Sequence, residues 1–148
     1  MRFLILLLLA NITFAEISYK LGLGSCLHQD YPAPAWTSLK KESIDTFFFL
    51  GDNIYGDVPS GKLDNIKLSY KKLNTQMPEW LKKTEKLVIW DDHDYGLNDA
   101  GANYIYKVQS QQIYNDAWNI DQNDPRRSRE GIYFLSLIHI SEPTRRTQ

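Results

Sequence analysis

The chain has 148 residues, of which 43% are hydrophobic and 24% are charged, and its formal net charge is −1. This is the composition of one ordinary globular domain, and it excludes a disordered or collagen-like chain. A charge so close to zero provides no basic surface, so we expect neither nucleic acid nor an anionic membrane as a partner. The sequence specifies no oligomeric state.

The first fifteen residues have the pattern of a secretory signal peptide. Arg2 precedes an apolar run at residues 3–10, and Ala15 supplies the small residue expected at a cleavage site. A membrane-spanning helix needs ~20 apolar residues, and this run is much shorter. We therefore expect cleavage near Ala15, export to a periplasm or to the extracellular space, and no stable membrane anchor.

The rest of the chain alternates strand patterns with helix patterns. Residues 17–24 alternate apolar and polar side chains, which predicts a half-buried strand. The continuous apolar runs at residues 47–50 and 87–90 predict two more strands, the first of them covered on both faces. Helices are predicted at residues 36–42, 63–73, 79–83 and 103–118. Such alternation predicts an α/β layered fold.

Each predicted strand ends in residues that can bind a cation. Cys26 follows the first strand, Asp52 follows the second, and Asp92 follows the third. Because open α/β sheets bind ligands at the carboxyl ends of their strands, we expect these three residues to converge in one crevice.

Cys26 is the only cysteine of the chain, so an exported protein cannot use it for an internal disulfide. A free cysteine is most often a small buried hydrophobic residue. The alternative is a thiolate that binds a metal.

The segment 51–57 places a carboxylate, Asp52, and a phenol, Tyr55, three residues apart between glycines. Glycine permits a tight turn, a carboxylate can bridge two cations, and a phenolate is a suitable ligand for ferric iron. The alternative is a turn in which Asp52 accepts backbone hydrogen bonds and Tyr55 is packing.

The segment 90–96 concentrates three carboxylates, Asp91, Asp92 and Asp94, around His93. So much repelling charge is unfavourable unless cations neutralise it, which favours a metal site. A solvated acidic turn and a structural calcium loop are the alternatives. His93 is a candidate metal ligand or a general acid that protonates a leaving oxygen, and we favour the general acid.

These motifs together resemble one known family. Gly24-Ser25-Cys26, the segment 51–55 and the segment 90–94 occur in the order found in PhoD-like (alkaline phosphatase D) metallophosphatases, and the similarity extends to about Tyr133. The resemblance implies an α/β/β/α metallophosphoesterase sandwich, of which this chain would hold the incomplete N-terminal half. It also implies hydrolysis of phosphate monoesters or diesters after export.

The resemblance further implies a metal centre of Fe³⁺ and Ca²⁺, with other divalent cations as alternatives. Cys26 and Tyr55 would bind the iron, Asp52 would bridge it to the second cation, and Asp92 would bind that cation. His93 would act beside the leaving group.

Substrate binding is expected from Asn53 and Arg127. For Arg127, a solvated loop shared with Arg126 and Arg129 is the alternative interpretation.

Residues 135–148 do not resemble native sequence, because Leu135 to Arg145 reads like a translated sequencing adaptor. The expected domain is therefore residues 16–134, a partial one without the metal ligands that the family places late in its chain. We expect the printed chain to bind metal weakly, to be inactive and to expose apolar strand surface. A non-catalytic secreted calcium-binding or cell-surface domain is the alternative, although it would have no use for Cys26 and Tyr55 as ligands.

Overall fold

The computed structural model describes residues 18–134. The predicted signal peptide at residues 1–15 and the predicted non-native tail at residues 135–148 both lie outside that range. Between residues 18 and 134, no helix is both long enough and apolar enough to span a bilayer.

Short strands alternate with helices along the described chain. The strands are β1 (Leu21–Gly24), β2 (Thr46–Leu50) and β3 (Glu85–Ile89). The helices are α1 (Ala35–Leu39), α2 (Asp64–Gln76), α3 (Glu79–Lys83), α4 (Asp92–Tyr95) and α5 (Lys107–Ala117), with 3₁₀ turns at Lys40–Glu42 and Pro125–Arg127. The sequence predicts all three strands and four of these helices, but it does not predict the single turn of α4.

The three strands form one parallel sheet in the order β1-β2-β3. Gly24 pairs with Phe49, and Phe49 pairs with Val88. Parallel neighbours require crossover connections, which α1, α2 and α3 provide. The α/β prediction is confirmed at this level, and all three strands end at the same edge of the sheet.

One face of the sheet is covered by helices. Phe47 and Phe49 of β2 are each 1% exposed on this face. The Trp36 ring of α1 lies 5.4 Å from that of Phe47, and the Trp118 ring lies 4.9 Å from that of Phe49. Helix α2 contributes the buried side chains Ile66, Tyr70 and Leu73, whose spacing of three or four residues places them on one side of the helix.

Strand β1 turns its glycines, and not its leucines, toward the helices. A Cβ atom at Gly22 would lie 2.6 Å from Phe47 Cδ2, and one at Gly24 would lie 2.8 Å from Phe47 Cζ. The Phe47 ring therefore packs directly on the β1 backbone. Leu21 and Leu23 lie on the opposite face, so the alternating pattern locates the strand but does not identify its buried side.

The opposite face of the sheet is open among residues 18–134. Leu23, Leu50 and Ile89 are 57%, 43% and 38% exposed on it. Within residues 18–134, the prediction that β2 is covered on both faces is not met on the side that carries Leu50, because the helices pack against the other side. The exposed apolar strand surface that the sequence analysis expects is present.

We expect the substitution Gly22→Ala to destabilise the fold by about 1–3 kcal/mol, because the new methyl group would displace the buried Phe47 ring. Leu21→Ala in the same strand is the matched control, and its effect should stay within about 0.5 kcal/mol because the side chain is exposed. Urea denaturation of the three proteins measures both values, and equal effects would contradict the assignment of faces.

Candidate functional site

The loops after β1 and β2 lie side by side at the carboxyl edge of the sheet. Backbone hydrogen bonds continue beyond the two strands, from Cys26 N to Gly51 O at 3.2 Å and from Leu27 N to Asp52 O at 2.8 Å. As a result, the Cys26 Sγ lies 3.8 Å from Asp52 Oδ2. Two residues that are far apart in the sequence are neighbours because parallel strands end together.

Cys26 and Asp52 both have left-handed backbone conformations, with φ of 56° and 50°. Residues other than glycine rarely adopt this conformation, and such strain occurs frequently at functional sites. Gly51 before Asp52 has φ of 97°, and a Cβ atom there would lie 2.9 Å from Asp91 N. Only glycine therefore allows the loop after β2 to approach the loop after β3 so closely.

Tyr55 is held in place by Gln29 and by two imidazole rings. Gln29 is 2% exposed; its Nε2 donates to Tyr55 O at 2.9 Å, and its Oε1 accepts from Tyr55 N at 2.8 Å. The Tyr55 ring stacks on His28 at 5.0 Å and contacts His93 at 4.3 Å. Its hydroxyl donates to Asp52 Oδ2 at 3.3 Å. Burial and the Asp52 carboxylate raise the pKa of Tyr55 well above its ordinary value.

Asp52, Asp92 and His93 form the cluster that could hold a metal ion. One ligand atom from each lies within 4.8 Å of the others. Burial raises the pKa of Asp52, and repulsion from Asp91 and Asp92 adds to this increase against the opposing effect of His93. The Asp52 Oδ1 is buried and has no hydrogen-bond partner in the described part of the chain. An uncompensated carboxylate oxygen of this kind is unfavourable without a cation.

A backbone hydrogen bond from Asp99 favours the ionised form of Asp92. Asp99 N donates to Asp92 Oδ2 at 2.6 Å, and this bond lowers the pKa of Asp92. The pKa values of Asp52 and Asp92 are therefore shifted in opposite directions, although the two residues belong to the same cluster.

His93 forms a pair with Asp57, a residue that the sequence analysis does not assign to the site. The Nδ1 atom of His93 lies 2.8 Å from Asp57 Oδ1. Burial lowers the pKa of His93, but the hydrogen bond to Asp57 and the nearby carboxylates outweigh this effect and raise it overall. Because Nδ1 of His93 faces Asp57, Nε2 is the ring nitrogen that remains available to carry a proton or to bind a ligand.

Two of the carboxylates after β3 have structural roles. Asp91 caps α4, since its side chain accepts from Asp92 N at 2.9 Å. Asp94 is fully buried and accepts hydrogen bonds from Asn53 N at 3.0 Å, from Asp91 N at 3.2 Å and from the Tyr70 hydroxyl at 3.2 Å. The presence of Asp91 and Asp94 thus has an explanation without a metal, and among the three carboxylates after β3 only Asp92 remains as a charge that a cation would neutralise.

The two residues expected to bind substrate do not join this cluster. Asn53 is fully buried, and its Nδ2 donates to Ile89 O at 2.8 Å. The Arg127 guanidinium donates to Asp116 Oδ1 at 2.6 Å and to Ile120 O at 2.6 Å. Arg127 nevertheless lines a neighbouring cavity that also contains Asp92.

Four residues have roles at the site that were not predicted from the sequence: Gln29, His28, Asp57, and Asp94 as a structural carboxylate. Asp57 lies in the segment 51–57, which follows β2. Because the ends of neighbouring parallel strands lie close together, a carboxylate partner for His93 could have been predicted in this segment. Gln29 and His28 carry no sequence signal, because their contacts with Tyr55 arise only when the loops after β1 and β2 pack together.

Asp94 is expected to make stability fall as the pH rises. Burial raises its pKa from 3.8 to about 7, so the folded protein keeps a proton that the unfolded chain loses between these values. The contribution of Asp94 to the free energy of unfolding is fully present below the pKa of the unfolded chain. It decreases as the pH rises toward the pKa in the folded protein, by up to about 1.4 kcal/mol per pH unit.

The control for this prediction is Asp94→Asn, which does not titrate. Its amide oxygen can accept from Asn53 and Asp91, and its amide nitrogen can donate to Tyr70, so the hydrogen bonds are kept. Urea denaturation at several pH values should show the stability of the wild type decreasing relative to that of the variant toward neutral pH. Parallel pH profiles for the two proteins would contradict the assignment.

No protein-family model, no curated protein and no solved structure matches this chain. The residues around Asp52 therefore indicate a function only through their geometry, the chemistry that their side chains permit, and the sequence motifs that they form.

Proposed function

We propose that this chain carries part of a metal-dependent phosphoesterase site of the PhoD-like type, in a protein that is exported. The observation that supports the proposal best is the position of Asp52. Its carboxylate lies beside Cys26 and Tyr55 on one side and belongs to a cluster with Asp92 and His93 on the other. A carboxylate in this position is suited to bridge two cations.

The residues present fit the expected metals. Thiolate and phenolate are suitable donors for ferric iron, so Cys26 and Tyr55 would hold that ion. Asp52 and Asp92 supply the oxygen donors that a calcium ion prefers. The buried Asp52 Oδ1 without a partner and the strained backbone at Cys26 and Asp52 support a bound cation.

The proposed reaction is hydrolysis of a phosphate ester. Bound cations would supply positive charge that stabilises the phosphoryl oxygens and lowers the pKa of water. The oxygen of a water molecule forms a bond to phosphorus and releases a proton to solvent, from which His93 is later reprotonated, and the bond between phosphorus and the ester oxygen breaks. His93 Nε2 gives a proton to the leaving oxygen, so that an alcohol and phosphate are released. Asp57 holds His93 through Nδ1 and fixes the orientation of the ring.

The open face of the sheet supports the proposed sandwich architecture. Leu23, Leu50 and Ile89 form an apolar surface on the side of the sheet opposite the helices. A second sheet packed on this surface would produce the α/β/β/α arrangement of the metallophosphoesterases. The helix-covered sheet described here would then be one half of that arrangement.

We expect ferric iron bound to the protein to show a visible absorption band from charge transfer between Tyr55 and the metal. Tyr55→Phe should abolish the band because it removes the phenolate ligand. Tyr31→Phe is the matched control, since Tyr31 lies beside His28 in the same loop but is 65% exposed. A band that survives in Tyr55→Phe would contradict the iron assignment, and calcium binding without any band would favour the non-catalytic alternative.

We expect His93→Gln to lower kcat/KM for an alkyl phosphate by about 10²–10⁴-fold in the full-length protein, because this leaving group needs a proton. For 4-nitrophenyl phosphate the loss should be much smaller, since 4-nitrophenolate leaves without protonation. Equal losses for both substrates would identify His93 as a metal ligand instead. Full activity in a metal-free preparation of the wild type would contradict the proposed function itself.

A further inference from the structure

A cavity of about 700 Å³ lies beside the metal-binding cluster. It is bounded by the segment after β3, by the loop that follows α4, by α5 and by the turn at residues 127–131. Its volume is typical of small-molecule sites. Asp91 and Asp92 form part of its wall, so a molecule in this cavity would be next to the candidate metal centre.

The walls of this cavity differ in chemical character. Trp90 and Tyr95 provide aromatic surface, with ring centroids 5.0 Å apart and planes inclined at 51°. Val108 and two alanines provide small apolar surface. The wall formed by α5 and the turn at residues 127–131 carries three cationic residues and the carboxylate of Glu130. Asp91 and Asp92 line the end near the candidate metal-binding cluster.

Arg129 is the cation of this wall with no ionic partner within residues 18–134. Lys107 pairs with Glu130, and Arg127 pairs with Asp116. The Arg129 guanidinium instead lies 3.8 Å from the centroid of the Tyr133 ring. Its Nε is buried and has no acceptor in the described part of the chain. A planar guanidinium stacked on a ring is held in one orientation, and its terminal nitrogens can donate paired hydrogen bonds to an anion.

We propose that this cavity binds the organic group of the phosphate ester and that Arg129 binds a second anionic group on it. The ligand class is an aromatic phosphate ester that carries a carboxylate or a further phosphate. This inference rests on the proposed function. The aromatic ring packs against Trp90 and Tyr95, the second anion contacts Arg129, and the ester phosphate extends toward Asp92.

The distribution of charge orients such a ligand. Asp91 and Asp92 repel an anion at their end of the cavity when no cation is bound there. At the other wall, Lys107 pairs with Glu130 and offsets its charge, so Arg129 is left to attract an anion. The metal-free chain should therefore bind the organic part of the substrate without the phosphate. Arg129 is a specificity-determining residue in this arrangement, and it takes no part in cleavage of the ester.

The test measures binding of 4-hydroxybenzoate and phenol to the metal-free chain by NMR, through the signals of the Trp90 indole and the Val108 methyl groups. We expect 4-hydroxybenzoate to bind about tenfold more tightly than phenol, as for one charge-assisted hydrogen-bonded pair. Arg129→Gln should make the two affinities equal while leaving the affinity for phenol unchanged, which also shows that the cavity is intact. Arg129→Lys should keep part of the preference.

Lys67→Gln is the matched control, because it removes the same charge from the exposed surface of α2 away from the cavity. It should leave both affinities unchanged. Equal binding of the two probes to the wild type, a preference that survives in Arg129→Gln, or shifts confined to residues outside the cavity would each overturn the inference.

A second measurement separates this inference from the proposed function. The metal-loaded full-length protein is assayed with 4-carboxyphenyl phosphate and phenyl phosphate, and Arg129→Gln should remove a preference for the first, mainly through KM. Preferential binding of 4-hydroxybenzoate without hydrolysis of either ester would contradict the phosphoesterase while supporting the cavity as an aromatic-anion site. Hydrolysis of both esters at equal kcat/KM would support the phosphoesterase and overturn the role of Arg129.

Discussion

The candidate site depends on the hydrogen bonds that the buried carboxylate of Asp94 accepts. It accepts hydrogen bonds from the backbone of Asn53, after β2, and from the backbone of Asp91, after β3. Asn53 is fully buried, and without Asp94 its N–H would lack this partner, at a cost of about 1–3 kcal/mol. Because the two loops also carry Asp52 and Asp92, Asp94 sets the distance between the carboxylates that could bind a cation.

The aspartates around Asp94 have different roles, although they carry the same chemical group. Asp94 connects two loops and Asp91 caps a helix, whereas Asp52 and Asp92 remain available beside His93. Burial and hydrogen bonding produce this division, since Asp94 is fully buried and accepts from Asn53 N and Asp91 accepts from Asp92 N, whereas one oxygen of Asp52 has no partner within the described residues. Local environment, and not residue type, therefore separates the structural carboxylates from the candidate ligands.

The candidate metal centre and the cavity beside it form one continuous region at the carboxyl edge of the sheet. Asp92 belongs to both, and Trp90 connects β3 to the cavity wall. In the proposed enzyme, the metal centre would act on the phosphoryl group, and the cavity would select the organic group attached to it. The open apolar face of the sheet lies on a different side and is suited to packing against another layer.

Sequence alone determined the order of strands and helices, because hydrophobic periodicity is local, and it located Cys26, Asp52 and Asp92 at strand ends. It could not determine which face of β1 is buried, since that depends on how closely the Phe47 ring approaches the glycines. It also could not separate Asp94 from Asp92, because their neighbours in the chain are nearly the same. Only the tertiary structure decided these points, since burial and hydrogen-bond partners come from residues that are distant in the sequence and adjacent only after folding.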